Sequence, residues 1–115
     1  MAKADITSES IHKKVSGYLF NRKSRDGWPK GQWFVKALGF NPDDLKHIEM
    51  LEKQIRFDSV TARFTRDTQW GPRFEQELSI TGPNGKTIAG VRAAWQKDKN
   101  SGIISLMTLM PPKHR

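Results

Sequence analysis

Two periodicities divide the chain. Leu45, Ile48, Leu51 and Ile55 recur at three- and four-residue spacings, one apolar stripe of an amphipathic helix. Beyond residue 58 the period becomes two. The run Asn41-Pro42-Asp43-Asp44 reads as the start of that helix: Asn41 caps it, proline takes the first helical position, and two carboxylates complement its positive end. The helix is expected to end near Arg56 or Phe57. A shorter helix is predicted over Trp33 to Leu38, closed by Gly39 in a left-handed turn. Residues 1–15 read as poorly ordered or loosely helical, with Ser8 or Ser10 capping a turn that carries Ile11 and Val15 before Gly17 ends it. The polar run from Asn21 to Gly27 reads as an exposed loop.

In the second half, Val60, Ala62 and Phe64 alternate with Thr61, Arg63 and Thr65. Phe74, Leu78 and Ile80 share one face of the next strand, and Arg73, Glu75, Glu77 and Ser79 the other. Pro83-Asn84-Gly85-Lys86 is a hairpin turn, since Asn-Gly tolerates the positive φ that tight connections require. Ala89, Val91, Ala93 and Trp95 alternate with Gly90, Arg92 and Gln96; Asn100-Ser101-Gly102 turns the chain again into Ile103 to Met110, and Pro111-Pro112 stops it. Helices followed by four strands with short turns and no crossover helix predict an α+β fold, an antiparallel meander covered on one face by the preceding helices. The reading is one domain over 1–115: a mobile N-terminal segment (1–15), a helical part (16–57) and a sheet (58–112).

Composition narrows the chemistry. The 115 residues include no cysteine, which excludes disulfides, zinc-thiolate and iron–sulfur sites and cysteine nucleophiles. The three histidines, His12, His47 and His114, lie far apart without metal-ligand spacing, so neither a metal nor a cofactor is expected. The polar N-terminus lacks a signal-peptide core, and no stretch is long and apolar enough to span a bilayer; a cytoplasmic protein is expected. Net charge is +8, distributed as +5 over residues 1–36, −1 over 37–57 and +4 over 58–115. Two basic flanks around a neutral middle attract polyanions, although charge of this kind also serves solubility alone.

Four stretches together resemble a small, largely uncharacterised bacterial family: Ser16 to Asn21, Lys30 to Phe40, Ile80 to Lys86 and Leu106 to Pro111. Its members occur as C-terminal modules of polymorphic and contact-dependent toxins of the filamentous-haemagglutinin type, and as free-standing proteins. The resemblance implies an architecture similar to the barnase, EndoU, colicin and RelE ribonucleases, with metal-independent RNA cleavage as the activity and an acidic immunity protein as a partner. Lys30 matches a lysine common before the Trp-Phe pair, and Thr108 a threonine common in the terminal strand. Gln32 stands where family members often carry a second lysine.

Metal-free RNA cleavage needs a proton acceptor for the 2′-hydroxyl, cations for the charged phosphorane and an acid for the leaving oxygen. Lys30, Arg63, Arg66, Arg73 and Arg92 are the candidate cations, His12, Glu75 and Glu77 the candidate proton carriers, and Thr108 a phosphate donor. Each has a plainer role: Lys30 as a solvated loop lysine, the strand charges as exposed cross-strand pairs, Arg92 as half of an ion pair, Thr108 as a buried hydrogen-bonded residue. Trp28 among Arg22, Lys23, Arg25 and Lys30, and Trp70 beside Arg66 and Arg73, combine an aromatic platform with cations, the composition that stacks unpaired bases. Protein-contact hot spots favour the same residues. Trp33, Phe34, Phe40, Phe64 and Phe74 read as core, and His47 as exposed. A toxin-type ribonuclease is the first functional reading. A non-catalytic module of a phage or mobile element that grips nucleic acid or a host protein is the second.

Overall fold

The computed structural model describes residues 3–113, which leaves His114 and Arg115 of the basic tail outside the described residues. Helix α1 (Lys3–Lys14) runs into a π-helical turn (Val15–Leu19), followed by α2 (Gly27–Leu38), α3 (Leu45–Lys53) and strands β1 (Arg63–Thr68), β2 (Gly71–Thr81), β3 (Thr87–Lys97) and β4 (Ile104–Met110). The strands pair antiparallel in the order β1-β2-β3-β4, the expected meander. None of the described helices is long and apolar enough to cross a membrane.

The N-terminal segment takes the helical of its two expected forms, as a longer helix than a single capped turn. Lys3–Lys14 form a helix because Ile11, Val15 and Leu19, four residues apart, bury one continuous stripe. Two hydroxyls then fasten that helix to the edge of the sheet. Thr7 Oγ1 donates to the Ile104 carbonyl (2.8 Å), and Ser10 Oγ accepts the Leu106 N–H (3.0 Å). Ser10 is therefore a clasp between helix and strand rather than a cap, and Gly17 lies inside the π turn instead of ending the helix. Replacing Thr7 by valine and Ser10 by alanine together leaves two edge groups of β4 without partners. At about 1 kcal/mol per lost bond, a calorimetric melt is expected to show a loss of about 2 kcal/mol.

Helix α2 begins at Gly27, six residues before the expected start, so Trp28, Pro29 and Lys30 belong to its first turn. Proline is tolerated there because the first N–H groups of a helix need no intrahelical acceptor. The Ser24 hydroxyl takes the Gly27 N–H at 3.0 Å. The decisive feature is the pair Gly27 and Gly31, one turn apart on one face. A Cβ on Gly27 would lie 2.2 Å from the Tyr18 carbonyl oxygen, and one on Gly31 would lie 1.7 Å from that of Leu19. Backbone packs directly on backbone here, seating α2 on the π turn. Gly39 (φ 79°) closes α2 as expected.

The start of α3 is also corrected. Asp44, not Asn41, is the cap, accepting the Lys46 N–H at 2.9 Å, while Asn41 folds the preceding turn by accepting from Asp43 N. His47, expected to be exposed, accepts the Asn41 N–H on Nδ1 and is partly covered. Ile48 and Leu51 are buried, Ile55 is buried just beyond the helix end, and Leu45 is 73 % exposed.

On the sheet, Ile80, Val91, Ala93, Trp95, Leu106 and Leu109 enter the core with Phe34, Leu38 and Phe40. Val60 lies outside any strand and is 89 % exposed, and Phe64, expected in the core, is 58 % exposed, because no helix covers β1. The turn at Pro83–Lys86 forms as expected, with the Gly85 N–H on the Gly82 carbonyl. In the next turn Asp98 accepts the N–H groups of Ser101 and Asn100, and the Ser101 contact above all holds its carboxyl below the usual range. A bulge between Leu106 and Thr108 changes the parity of β4, so both Leu106 and Leu109 point inward.

Candidate functional site

Three distant stretches meet beside β4. Because Gly27 and Gly31 bring α2 against the π turn, the Lys30 ammonium reaches the Tyr18 hydroxyl, donating to it at 2.9 Å. The same ammonium donates to Thr108 Oγ1 at 3.3 Å, 78 residues away in sequence. It also sits 5.2 Å from the centroid of the Tyr18 ring, and Lys14, one turn before Tyr18, lies 5.4 Å from that centroid. All four residues are half-buried. Among the described residues no carboxylate lies within ion-pair distance of Lys14 or Lys30.

The hydrogen-bond count shows what this cluster can do. Tyr18 and Thr108 both act as acceptors toward Lys30, so each hydroxyl keeps its own proton to donate. The Lys30 ammonium retains a third N–H. Two cations without a counter-ion among the described residues and two hydroxyl donors form an anion-receptive group, with the Tyr18 ring holding both cations in place.

Of the residues singled out from the sequence, Lys30 and Thr108 do meet. The bulge explains why Thr108 is available: it does not share the core face of Leu106 but stands half-buried opposite Ala94. Arg92 lies near them, opposite Met110, but its Nε donates to the Pro111 carbonyl at 3.1 Å, so it is neither half of an ion pair nor directed at the cluster. Glu75 stands in the cross-strand row Arg63–Glu75–Ala94–Thr108, two strands or about 10 Å from Thr108. Glu77 lies opposite Arg92 without forming an ion pair. His12 is held on the α3 side of α1, its Nδ1 2.7 Å from Glu52 Oε2. Lys14 and Tyr18 escaped the sequence reading, although their four-residue spacing on a helix was the available signal.

The proposed base-stacking loops are rearranged. Trp28 is in α2 with the Arg22 guanidinium 5.2 Å from its ring. Arg22 also makes a two-pronged contact with Asp43 at 2.9 and 3.1 Å, whose hydrogen bond raises the arginine pKa further and lowers that of the aspartate. Lys23 and Arg25 are exposed in the preceding loop. Trp70 is 60 % exposed in the β1–β2 turn, and Arg66 and Arg73 stand directly opposite each other, Arg73 bonded to Gln96 at 3.0 Å.

A cavity of about 550 Å³ lies elsewhere, between α1 and the end of α3, with Ile11, Ile55 and Phe57 inside a rim of Glu49, Glu52, Lys53 and Arg56. Its mixed charges make it a poor receptor for a polyanion, and the half-buried cationic cluster is the better candidate. Among the described residues no group of three or more His, Asp or Glu side chains is placed to hold a metal ion.

Fold and cluster together define the class: a small basic α+β domain with helices ahead of a four-stranded antiparallel meander and an anion-receptive cluster at the β4 edge. The chain belongs to the DUF6883 family, a domain of unknown function, whose match spans residues 3–113. No curated protein matches the sequence. Among solved structures the chain is similar to one from a contact-dependent growth inhibition toxin–immunity protein complex of Klebsiella pneumoniae 342. The TM-score is 0.60 at 18 % identity, covering 89 % of this chain and 99 % of that one. At that identity the likeness establishes the fold.

Proposed function

We propose that this domain is a toxin-type module that acts on RNA, cleaving it without a metal ion at the Lys14–Tyr18–Lys30–Thr108 cluster. The observation that carries the reading is Lys30, bonded to hydroxyls from two distant stretches with no carboxylate among the described residues within ion-pair distance. The fold shared with a chain of a toxin–immunity complex and the charge of +8 support it. In this reading Lys30 and Lys14 bind the non-bridging oxygens of a phosphodiester and stabilise the charge that builds as the 2′-oxygen attacks phosphorus. The P–O5′ bond breaks, leaving a 2′,3′-cyclic phosphate and a 5′-hydroxyl. Thr108 donates to the phosphate, while the Tyr18 phenol gives its proton to the departing 5′-oxygen and is reprotonated by the 2′-hydroxyl, so that the proton lost at one oxygen is gained at the other.

One observation favours a second reading, in which the cluster grips phosphate without cutting: neither His12 nor Glu75 reaches it. Incubation of the purified chain with total RNA in EDTA separates the two. Cleavage products ending in cyclic phosphate are expected. Intact RNA, together with binding that weakens steeply as salt rises, selects the binding module. Intact RNA with no binding removes both.

A further inference from the structure

The two edges of the sheet are treated differently. Along β4, Thr7 and Ser10 of α1 occupy the Ile104 carbonyl and the Leu106 N–H. Along β1 no described residue does the same: the strand pairs with β2 alone among the described strands, and Arg63 to Asp67 are all exposed. An uncovered edge presents a row of outward N–H and C=O groups that another strand can pair with. Apolar surface lies beside it. Edge-to-face contacts run from buried Trp95 to Phe57 (5.6 Å), Phe57 to Phe74 (5.9 Å) and Phe74 to Phe64 (6.2 Å), carrying the aromatic core outward to a ring that is 58 % exposed.

Charge decides which strand fits. On β1 itself Arg63 and Arg66 outnumber Asp67, and Arg73 stands opposite Arg66, while the acids of β2 are Glu75 and Glu77. No carboxylate among the described residues forms an ion pair with any of the three arginines. A second copy of this chain would bring another +8 and another pair of arginines to the edge, which works against self-pairing. From the open backbone, the exposed Phe64 and the unpaired arginines we infer that β1 is a docking edge for an acidic protein, which extends the sheet by one strand and covers Phe64. The docking site stands without the RNA reading; only the partner's role as a neutralising protein rests on it.

The test uses the full chain, labelled with nitrogen-15, and a short end-capped peptide of alternating glutamate and valine. Amide resonances of residues 63–68 are expected to shift on titration. The same peptide N-methylated along its backbone, with its charge kept and its strand donors removed, is expected to lose the interaction. The exposed double variant Arg63→Glu/Arg66→Glu is expected to weaken binding by at least about tenfold. No binding overturns the inference, as does equal binding of the N-methylated peptide or shifts confined to the Lys14–Lys30 cluster. The RNA assay separates the readings: peptide binding with intact RNA keeps the docking edge and removes the ribonuclease, and cleavage without peptide binding does the reverse.

Discussion

An alanine at position 31 is expected to remove about 3–5 kcal/mol of stability, the largest effect of any single methyl group added to this chain. The added Cβ would lie 1.7 Å from the Leu19 carbonyl oxygen and 2.6 Å from its carbon. Both are backbone atoms of the π turn, so no side chain can swing aside, and α2 must lift from its seat. Domains of this size hold only about 6–17 kcal/mol in total, so the loss is a large fraction of it. A thermal melt is expected to fall by about 15 °C. Gly17→Ala is the control: nothing lies within 4 Å of its Cβ position, and alanine there is expected to stabilise by about 0.5–1 kcal/mol. The two variants differ from wild type by the same methyl group, so an unchanged melt for Gly31→Ala would mean that α2 does not pack backbone to backbone on the π turn. Lifting α2 also draws Lys30 away from Tyr18. RNA cleavage by this variant is therefore expected to fall even at temperatures where it remains folded.

Lys30→Ala should act on function in the opposite proportion. Lys30 is half-buried, and its two hydrogen bonds go to hydroxyls that water can satisfy once the ammonium is gone, so the melt is expected to move by less than about 1 kcal/mol. Cleavage is expected to fall by about a hundred- to a thousand-fold, the usual consequence of deleting one group that stabilises charge in the transition state. Lys30→Arg is not expected to restore it, because a planar guanidinium cannot reproduce the tetrahedral donor set between Tyr18 and Thr108. If the domain only binds, no cleavage exists to lose, and Lys30→Ala instead weakens RNA affinity and lowers the salt slope by about one ion. A variant that cleaves RNA like wild type would remove Lys30 from the chemistry.

The parts of the fold that were legible in the sequence are those whose cause is local. The three-four spacing of Ile48 and Leu51, the alternation of Val91, Ala93 and Trp95, and the Asn84-Gly85 turn each carry their own geometry, and the structure follows them. The extent of helix α1 was not legible, because a polar segment is held there by its own hydroxyls, bonded to the backbone of a strand 97 residues away. The early start of α2 was hidden for a related reason. Gly27, Pro29 and Gly31 are poor helix formers, and their value lies in close packing that propensity does not register. Phe64 was misplaced because alternation reports a strand face but not whether any helix covers it.

The candidate site divides the same way. That this chain is an α+β meander with a basic surface was determined by the sequence, since periodicity, turn residues and net charge are properties of neighbours and sums. Which cations stand together was decided by the tertiary structure alone. A bulge of one residue in β4 turns Thr108 from the core toward Lys30, two glycines set the distance from Lys30 to Tyr18, and Asp43 and Glu52 occupy Arg22 and His12. Such choices depend on shifts of a few ångströms between elements far apart in the chain, and Coulomb and hydrogen-bond energies change steeply over that range.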